Sequence, residues 1–248
     1  MVWRSFIENK KKNIKYINYF NEELYGVVQD SLVDGSIPIT IGGDHSISIA
    51  TSLASQKSNK NIGVIWFDAH ADFNTFETTI TGNIHGLPFA TITGFGNAEL
   101  AKFHKYSFIN PKNCVLIGAR SIDYPGEYNN LNDAGVKIFT VEDIRKNGIE
   151  DIVRQSIEIV TKDTEGFHFS IDIDVMDPKE APGVSVPEID GITKVEFLKI
   201  IKNFLEYREK IKSIDIVEYN PKFDVDGKTL KIIVDLCESI KKSFFGKI

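Results

Sequence analysis

A chain of 248 residues with 42% hydrophobic and 26% charged residues has the composition of a folded globular protein, which argues against intrinsic disorder. The net charge of −6, and the lack of any apolar stretch near the roughly 18 residues that cross a bilayer, give no reason to expect nucleic acid or a membrane as a partner. The two cysteines are far apart and outside any metal-type spacing, so we expect a cytoplasmic protein without disulfide bonds.

The predicted elements alternate between helices and strands. The first is an amphipathic helix over 14–32, with lysines on a solvated face (Lys10, Lys11, Lys12 and Lys15). Strands are predicted at 37–41, 62–67, 114–117, 136–139, 166–173 and 214–217, and further helices at 141–160, 193–206 and 228–243. Another helix follows Ser46, its expected N-cap. This order predicts an α/β fold with three α/β/α layers and a mostly parallel sheet, formed by a single domain over 1–248.

Polar residues follow the second predicted strand. Asp68, His70 and Asp72 come directly after the apolar run 63–67 at a spacing of two residues. Ligands in open parallel sheets bind beyond the carboxyl ends of the strands, where these side chains are expected to lie. Two carboxylates and an imidazole crowded there would repel and lose solvation, so the sequence predicts a divalent cation among them.

The strand predicted at 166–173 carries a second polar group. Alternation places His168, Ser170, Asp172 and Asp174 on the face opposite the Phe and Ile side chains. Asp172 and Asp174 are roughly 6.5 to 7 Å apart along a strand and can flank one site, whereas His168 is about 13 Å from Asp172 and is not expected to be a ligand. His104 stands alone in a polar stretch and is expected at the surface.

With His45, which follows the first predicted strand, the candidate ligands number four carboxylates and two imidazoles: His45, Asp68, His70, Asp72, Asp172 and Asp174. A set dominated by oxygen favours manganese or magnesium over a thiolate-type zinc site. Six ligands are too many for one ion with an open position for substrate. Two ions about 3.5 to 4 Å apart would use them all.

Three motifs carry a family resemblance. Residues 42–46 (Gly-Gly-Asp-His-Ser), 68–72 (Asp-Ala-His-Ala-Asp) and 170–178 (Ser-Ile-Asp-Ile-Asp-Val-Met-Asp-Pro) closely resemble the signature motifs of the ureohydrolases, the arginase and agmatinase family. The resemblance implies an arginase-like α/β/α fold with two Mn²⁺ ions, and a homotrimer or homohexamer. It assigns His45, Asp68, Asp72 and Asp174 to one ion, and Asp68, His70, Asp172 and Asp174 to the other. A hydroxide bridging the ions would attack a guanidinium carbon and release urea.

The resemblance also implies roles around the substrate. Asp72, His85 and Glu218 are the catalytic candidates, with Glu218 pairing with the guanidinium and His85 passing a proton to the departing amine. Asn74 and Thr81 match residues that meet an α-carboxylate, and Asp123 and Glu127 match positions near an α-amino group. L-arginine is therefore the leading substrate, hydrolysed to L-ornithine and urea.

The alternatives are an agmatinase, another guanidino or formimino hydrolase, and a catalytically impaired binding homologue. Three departures from the family pattern keep them open. The family's first strand and glycine-rich loop have no counterpart before Ile14, so we expect one edge strand fewer. Val186 stands where a threonine hydroxyl would support the substrate glutamate. Ser121 replaces a common aspartate, and Tyr124 reads as an insertion.

Overall fold

Six parallel strands form one sheet in the computed structural model, which describes residues 2–246 and, among side chains, those of residues 13–246. The strands are β1 (Ile39–Ile41), β2 (Gly63–Phe67), β3 (Cys114–Ala119), β4 (Lys137–Thr140), β5 (Phe167–Asp172) and β6 (Ile211–Val217). Their order across the sheet is β1-β6-β5-β2-β3-β4, and every neighbouring pair is parallel. All six predicted strands are confirmed, with ends shifted by up to three residues.

Within residues 2–246, eight α-helices cover the sheet: α1 (Val2–Val33), α2 (Ser48–Asn59), α3 (Pro88–Ile92), α4 (Gly126–Ala134), α5 (Val141–Asn147), α6 (Ile149–Val160), α7 (Lys194–Leu205) and α8 (Lys228–Phe245). One apolar cluster joins α5 to α8 to one face of the sheet, and a second joins α1 to α4 to the other. Alternation within β2 divides its side chains between them, since Ile65 and Phe67 lie in the first cluster and Val64 and Trp66 in the second. The predicted α/β/α layering is confirmed.

Several local predictions need correction. The helix predicted over 141–160 is two helices, because Gly148 adopts φ +88° between them. The expected N-cap Ser46 lies inside a 3₁₀ turn, His45–Ile47, whose cap is Asp44: its carboxylate accepts a hydrogen bond from the Ser46 N–H. Helices α3 and α4 were not predicted.

The first helix shows the predicted amphipathic pattern in part. Ile14 is buried and Lys15 exposed, but Phe20 is 57% exposed. Lys10, Lys11 and Lys12 lie outside the described side chains. None of the helices in the described part of the chain combines the length and apolar character needed to cross a membrane.

His104 is buried, so its expected surface position is wrong. Its Nδ1 atom lies 3.2 Å from the Tyr25 hydroxyl, and its Nε2 atom lies 3.2 Å from the Ser107 carbonyl oxygen. Tyr25 is 79 residues away in the sequence. A partner this distant becomes a neighbour only when α1 packs onto the domain, which is why the local sequence around His104 is uninformative.

Candidate metal centre and adjoining pocket

The carboxyl ends of four neighbouring strands place the candidate ligands at one edge of the sheet. Asp68 follows β2, Asp172 ends β5, Glu218 follows β6, and His45 lies just beyond β1. These strands are adjacent in the order β1-β6-β5-β2, so residues far apart in sequence meet at the sheet edge.

His45 faces three carboxylates. Its Nδ1 atom lies 3.2 Å from Asp68 Oδ2 and 3.1 Å from both Asp72 Oδ2 and Asp172 Oδ2. All four side chains are buried. The Nδ1 atom makes no hydrogen bond to any described residue, while Nε2 lies 2.9 Å from the Ser170 hydroxyl. An unbonded imidazole nitrogen aimed at three carboxylate oxygens is the arrangement expected of a metal ligand.

His70 faces a second group. Its Nδ1 atom lies 3.0 Å from Asp174 Oδ2 and 3.6 Å from Asp68 Oδ1. Asp68 thus presents Oδ2 towards His45 and Oδ1 towards His70. Among the described residues, potential ligand atoms lie within 4.8 Å of one another in three groups: His45 with Asp68 and Asp172, His70 with Asp68 and Asp174, and Asp44 with His85 and Glu218. Only the first two share a ligand, Asp68.

All six predicted ligands therefore converge, but their division differs from the one that the resemblance implies. Asp172 rather than Asp174 lies beside His45, and Asp174 lies beside His70. The short 3₁₀ turn Ile173–Val175 explains the change, since Asp174 is beyond the end of β5 and no longer follows strand alternation.

Burial and the excess negative charge of the cluster raise the pKa values of three of its carboxyl groups. Burial, together with the charge of Asp68, raises the pKa of Asp72 to about 7 and that of Asp174 to about 6. Burial and the charges of Asp174 and Asp68 likewise raise the pKa of Asp172 well above its usual value. Burial opposes a charged imidazole at His45, but the attraction of the three carboxylates beside its Nδ1 atom raises the pKa of His45 overall. A donor set of four carboxylates and two imidazoles that needs added positive charge fits divalent cations.

Local hydrogen bonds hold the carboxylates in place. Asp68 Oδ2 accepts a bond from Trp66 Nε1 at 2.9 Å, and Asp68 Oδ1 accepts one from the His70 N–H at 2.7 Å. Asp172 Oδ1 accepts a bond from the Asp174 N–H at 2.8 Å. Asp72 has φ +51°, a left-handed conformation that is rare outside glycine and is found at constrained functional positions.

Glu218 and His85 form a pair beside the cluster. Glu218 Oε1 accepts a hydrogen bond from the His45 N–H at 2.7 Å and lies 3.3 Å from His85 Nδ1. The bond to Glu218 raises the pKa of His85 to about 9, against the opposing effect of burial. Glu218 has φ +63°, so it is the second residue here with a left-handed backbone. A carboxylate held in this way can receive a planar cation.

A pocket of about 270 Å³ opens from these residues. Its wall includes hydroxyl and amide side chains (Asn74, Thr79, Thr81, Asn83 and Ser121), further carboxylates (Asp123, Glu127 and Glu188) and Val186. No lysine or arginine lines it among the described residues. All the predicted substrate residues therefore surround one cavity.

Contacts within this wall already occupy several predicted substrate groups. Asn74 Nδ2 donates to Asp123 Oδ2 at 3.0 Å. Glu127 is buried, with Oε1 accepting from the Phe73 N–H at 2.8 Å and Oε2 from the Asp123 N–H at 2.9 Å. Burial raises the pKa of Glu127 to about 8. Both of its oxygens are hydrogen-bonded within the protein, so Glu127 supports the backbone at Asp123 and offers no free oxygen to the pocket.

The sequence did not indicate Glu188. Its Oε1 atom lies 3.6 Å from His70 Nε2, and it faces the pocket together with Val186. No strand end, spacing or motif marks this position. Ser170, whose hydroxyl contacts His45 Nε2, was also not predicted as a site residue. The alternating polar pattern of β5 could have indicated it, because Ser170 lies on the same face as Asp172.

Comparisons with known proteins agree with this geometry. A family model described as the Arginase family matches residues 6–241. Arginase from Bacillus caldovelox is 38% identical over 234 residues, which cover 94% of this chain and 78% of that protein. Its native structure at pH 5.6 superposes with a TM-score of 0.88 over 95% of this chain and 77% of that one. The structure of Entamoeba histolytica arginase in complex with L-ornithine is 33% identical, with a TM-score of 0.84 over 92% of this chain and 77% of that one.

Proposed function

The chain belongs to the arginase family, and we propose on this basis that it hydrolyses the guanidinium group of L-arginine to L-ornithine and urea with bound metal. The observation that carries the proposal is the convergence of six metal-type ligands beside a pocket in which Glu218 and His85 face each other. The arginases compared above are 33% to 38% identical to this chain over more than nine-tenths of its length.

We propose two metal positions, each of which would hold Mn²⁺. His45, Asp68, Asp72 and Asp172 would hold one ion, and Asp68, His70 and Asp174 the other. Asp68 is the shared ligand because its two oxygens face the two imidazoles. The bound ions would lower the pKa of water and supply the nucleophile that adds to the guanidinium carbon. Manganese is proposed from the oxygen-rich donor set and the family resemblance.

Glu218 is proposed to bind the guanidinium through two charge-assisted hydrogen bonds. The bond from the His45 N–H fixes its carboxylate next to the metal ligands. The hydrogen bond to Glu218 raises the pKa of His85 to about 9 in the metal-free protein, which favours a protonated imidazole at neutral pH. We assign His85 as the group that gives this proton to the departing amine. The chain itself thus orients the cation and holds the proton that the amine needs.

The far end of the substrate would meet the outer wall. Asn74 and Thr81 offer an amide and a hydroxyl to the α-carboxylate, and Asp123 offers an anion to the α-amino group. Glu127 is proposed to hold the loop that carries Asp123, through the N–H of that residue.

A competing substrate is agmatine, which has no α-carboxylate. The absence of a lysine or arginine from the described pocket wall favours this alternative. Urea release should therefore be measured on arginine and agmatine side by side with Mn²⁺-loaded protein. A higher kcat/KM for arginine supports the proposal, and a clear preference for agmatine contradicts it. Stoichiometric Mn²⁺ without turnover of any guanidino compound would indicate a binding homologue.

We further propose a homotrimer or homohexamer in the cytoplasm. The oligomer rests on the family resemblance, and the location on the two free cysteines, Cys114 and Cys237. Analytical ultracentrifugation of the full chain would test the first. Fractionation of cells that express the protein would test the second.

A further inference from the structure

Arg120 connects two loops of the candidate site through main-chain hydrogen bonds. Six carbonyl oxygens lie within hydrogen-bond distance of its nitrogens: Gly118 (3.3 Å), Asp174 (2.9 Å), Val175 (3.0 Å), Met176 (3.2 Å), Glu188 (2.8 Å) and Ile189 (3.0 Å). Because the guanidinium has five N–H groups, at least one of them is shared between two of these oxygens. Three of these belong to the turn that carries Asp174, and two to the pocket wall around Glu188. We propose that Arg120 is a positioning residue that locks this turn against the wall, so that metal retention and substrate binding depend on one side chain. The inference rests on the function proposed above.

The chemistry of the contacts favours this role over an ion pair. Within the described side chains, no carboxylate oxygen lies within 4.0 Å of the Arg120 nitrogens, so its direct contacts are all with carbonyl dipoles. The charges of Asp174 and Glu188 also favour the charged guanidinium from a greater distance. A guanidinium presents five N–H groups in a fixed plane, and all three of its nitrogens are used here. A lysine has one nitrogen and cannot reach both loops with the same geometry.

The connected parts are those that the proposed reaction uses. Asp174 Oδ2 lies 3.0 Å from His70 Nδ1, so a shift of the turn would separate a metal ligand from its partner. Glu188 lines the pocket on the other side. Arg120 itself follows β3 and leads into Ser121 and Asp123, which also line the pocket.

Gly191 leaves room for this arrangement. A Cβ atom at that position would lie 2.6 Å from Arg120 Nη2 and 2.5 Å from the Asp177 nitrogen. Even an alanine would therefore force the guanidinium or the turn to move. A side chain at position 191 is therefore incompatible with the observed position of the Arg120 guanidinium.

Arg145 provides a matched control. It donates to the carbonyl oxygens of Asp190 (3.3 Å) and Gly191 (3.1 Å), in the same wall segment, but makes no hydrogen bond to the turn at 174–176 among the described residues. Arg120→Lys and Arg145→Lys both keep the charge and both remove guanidinium contacts with this wall segment, from two nitrogens in Arg120 and from one in Arg145. Only the first breaks the connection to Asp174.

Three measurements on the full chain test the proposal: Mn²⁺ affinity by calorimetry, the melting temperature of metal-free protein, and KM for arginine. Arg120→Lys should weaken Mn²⁺ binding at one of the two positions by about 10- to 100-fold and raise KM. Arg145→Lys should change Mn²⁺ affinity and KM by no more than about twofold, because Arg145 makes no hydrogen bond to the turn at 174–176. Equal losses of melting temperature in both variants, with Mn²⁺ affinity and KM unchanged in Arg120→Lys, would overturn the proposal and leave Arg120 a purely structural residue.

A measurement on the unmutated protein covers the case in which Arg120→Lys does not fold. If the turn and the wall move together, Mn²⁺ should slow amide hydrogen exchange in the segment 189–191. This segment leaves out Glu188, because Glu188 lies 3.6 Å from the proposed ligand His70. Unchanged exchange there, with slower exchange at 172–176, contradicts the coupling. If unmutated protein binds no Mn²⁺, the proposed function fails as well. If unmutated protein binds Mn²⁺ and hydrolyses arginine but exchange at 189–191 does not change, the proposed function stands and the role of Arg120 is rejected.

Discussion

The Nδ1 atom of His85 lies 3.3 Å from Oε1 of Glu218. This contact joins the group proposed to bind the guanidinium to the group proposed to carry a proton, before any substrate is present. It makes the charge of each depend on the other, because a carboxylate beside an imidazole favours the imidazolium. Two predictions follow from this dependence.

Replacing His85 with asparagine should slow turnover while leaving Mn²⁺ content intact. The amide keeps a polar group near Glu218 but cannot transfer a proton, and general acids of this kind contribute typically about 10²- to 10⁴-fold to rate. Metal content by elemental analysis and kcat from pH 6 to 10 are the measurements. An unchanged rate across that range removes His85 from the mechanism.

Replacing Glu218 with glutamine should lower the pKa of His85 from about 9 towards its usual value of 6.5, because the hydrogen bond to Glu218 is the largest cause of the shift. NMR titration of metal-free protein would follow the imidazole resonance. The Glu188→Gln variant is the control, since Glu188 makes no contact with His85 within the part of the chain that the structure describes. A pKa that stays near 9 in Glu218→Gln would show that the pairing is not its cause.

Metal-free protein should lose stability as pH rises from about 4 to 7. The pKa values of Asp72 (about 7) and Asp174 (about 6) in the folded state exceed the ordinary 3.8, so the folded chain holds more protons than the unfolded chain in this window. His70, whose pKa is raised to about 12, continues the loss above pH 6.5. Mn²⁺ replaces these protons, so its affinity should rise with pH.

Melting temperatures measured with and without chelator across this range test that prediction. The difference between loaded and metal-free protein should widen with pH, and the Asp72→Asn variant should show a smaller decline when metal-free. A metal-free melting temperature that increases from pH 4 to 7 would contradict the charge balance described for the cluster.

Replacement of Asp68 and replacement of Asp174 should differ in how many Mn²⁺ ions remain bound. Asp68 faces both imidazoles, so Asp68→Asn should abolish Mn²⁺ binding at both positions. Asp174 faces His70 and not His45, so Asp174→Asn should spare one ion. Calorimetric stoichiometry and anomalous scattering at the manganese edge distinguish two, one and no ions. Two ions at full occupancy in Asp68→Asn would rule out the shared ligand.

Val186→Thr should raise kcat/KM for arginine, by up to about 10-fold if the new hydroxyl supports Glu218. Val186 is 37% exposed and lines the pocket with Glu218, so a threonine hydroxyl at this position fits without a clash and stays accessible to water. Val195→Thr makes the same chemical change on an exposed position of α7, 77% exposed and away from the pocket. The same kcat/KM in both variants would show that a valine at position 186 does not reduce activity.

The strands were predictable because each is a short apolar run bounded by turn residues, and β2 is buried along its whole length. The break between α5 and α6 at Gly148 was not predictable, because the helical pattern of apolar residues continues on both sides of that residue. Helix α3, with five residues, is too short to show a period. The motif spacing around Asp68 and Asp172 indicated five of the six candidate ligands, and His45 came from the motif that follows the first predicted strand.

The sequence by itself determined the layered α/β architecture, the ligand set and the family resemblance, since all three depend on local patterns along single strands. Only the tertiary structure decided which carboxylate faces which imidazole, because Asp174 leaves the strand in a 3₁₀ turn and Asp68 divides its two oxygens between His45 and His70. It also placed Arg120 between two loops that are 12 or more residues apart in the chain. Such contacts form when distant segments pack together, and no periodicity records them.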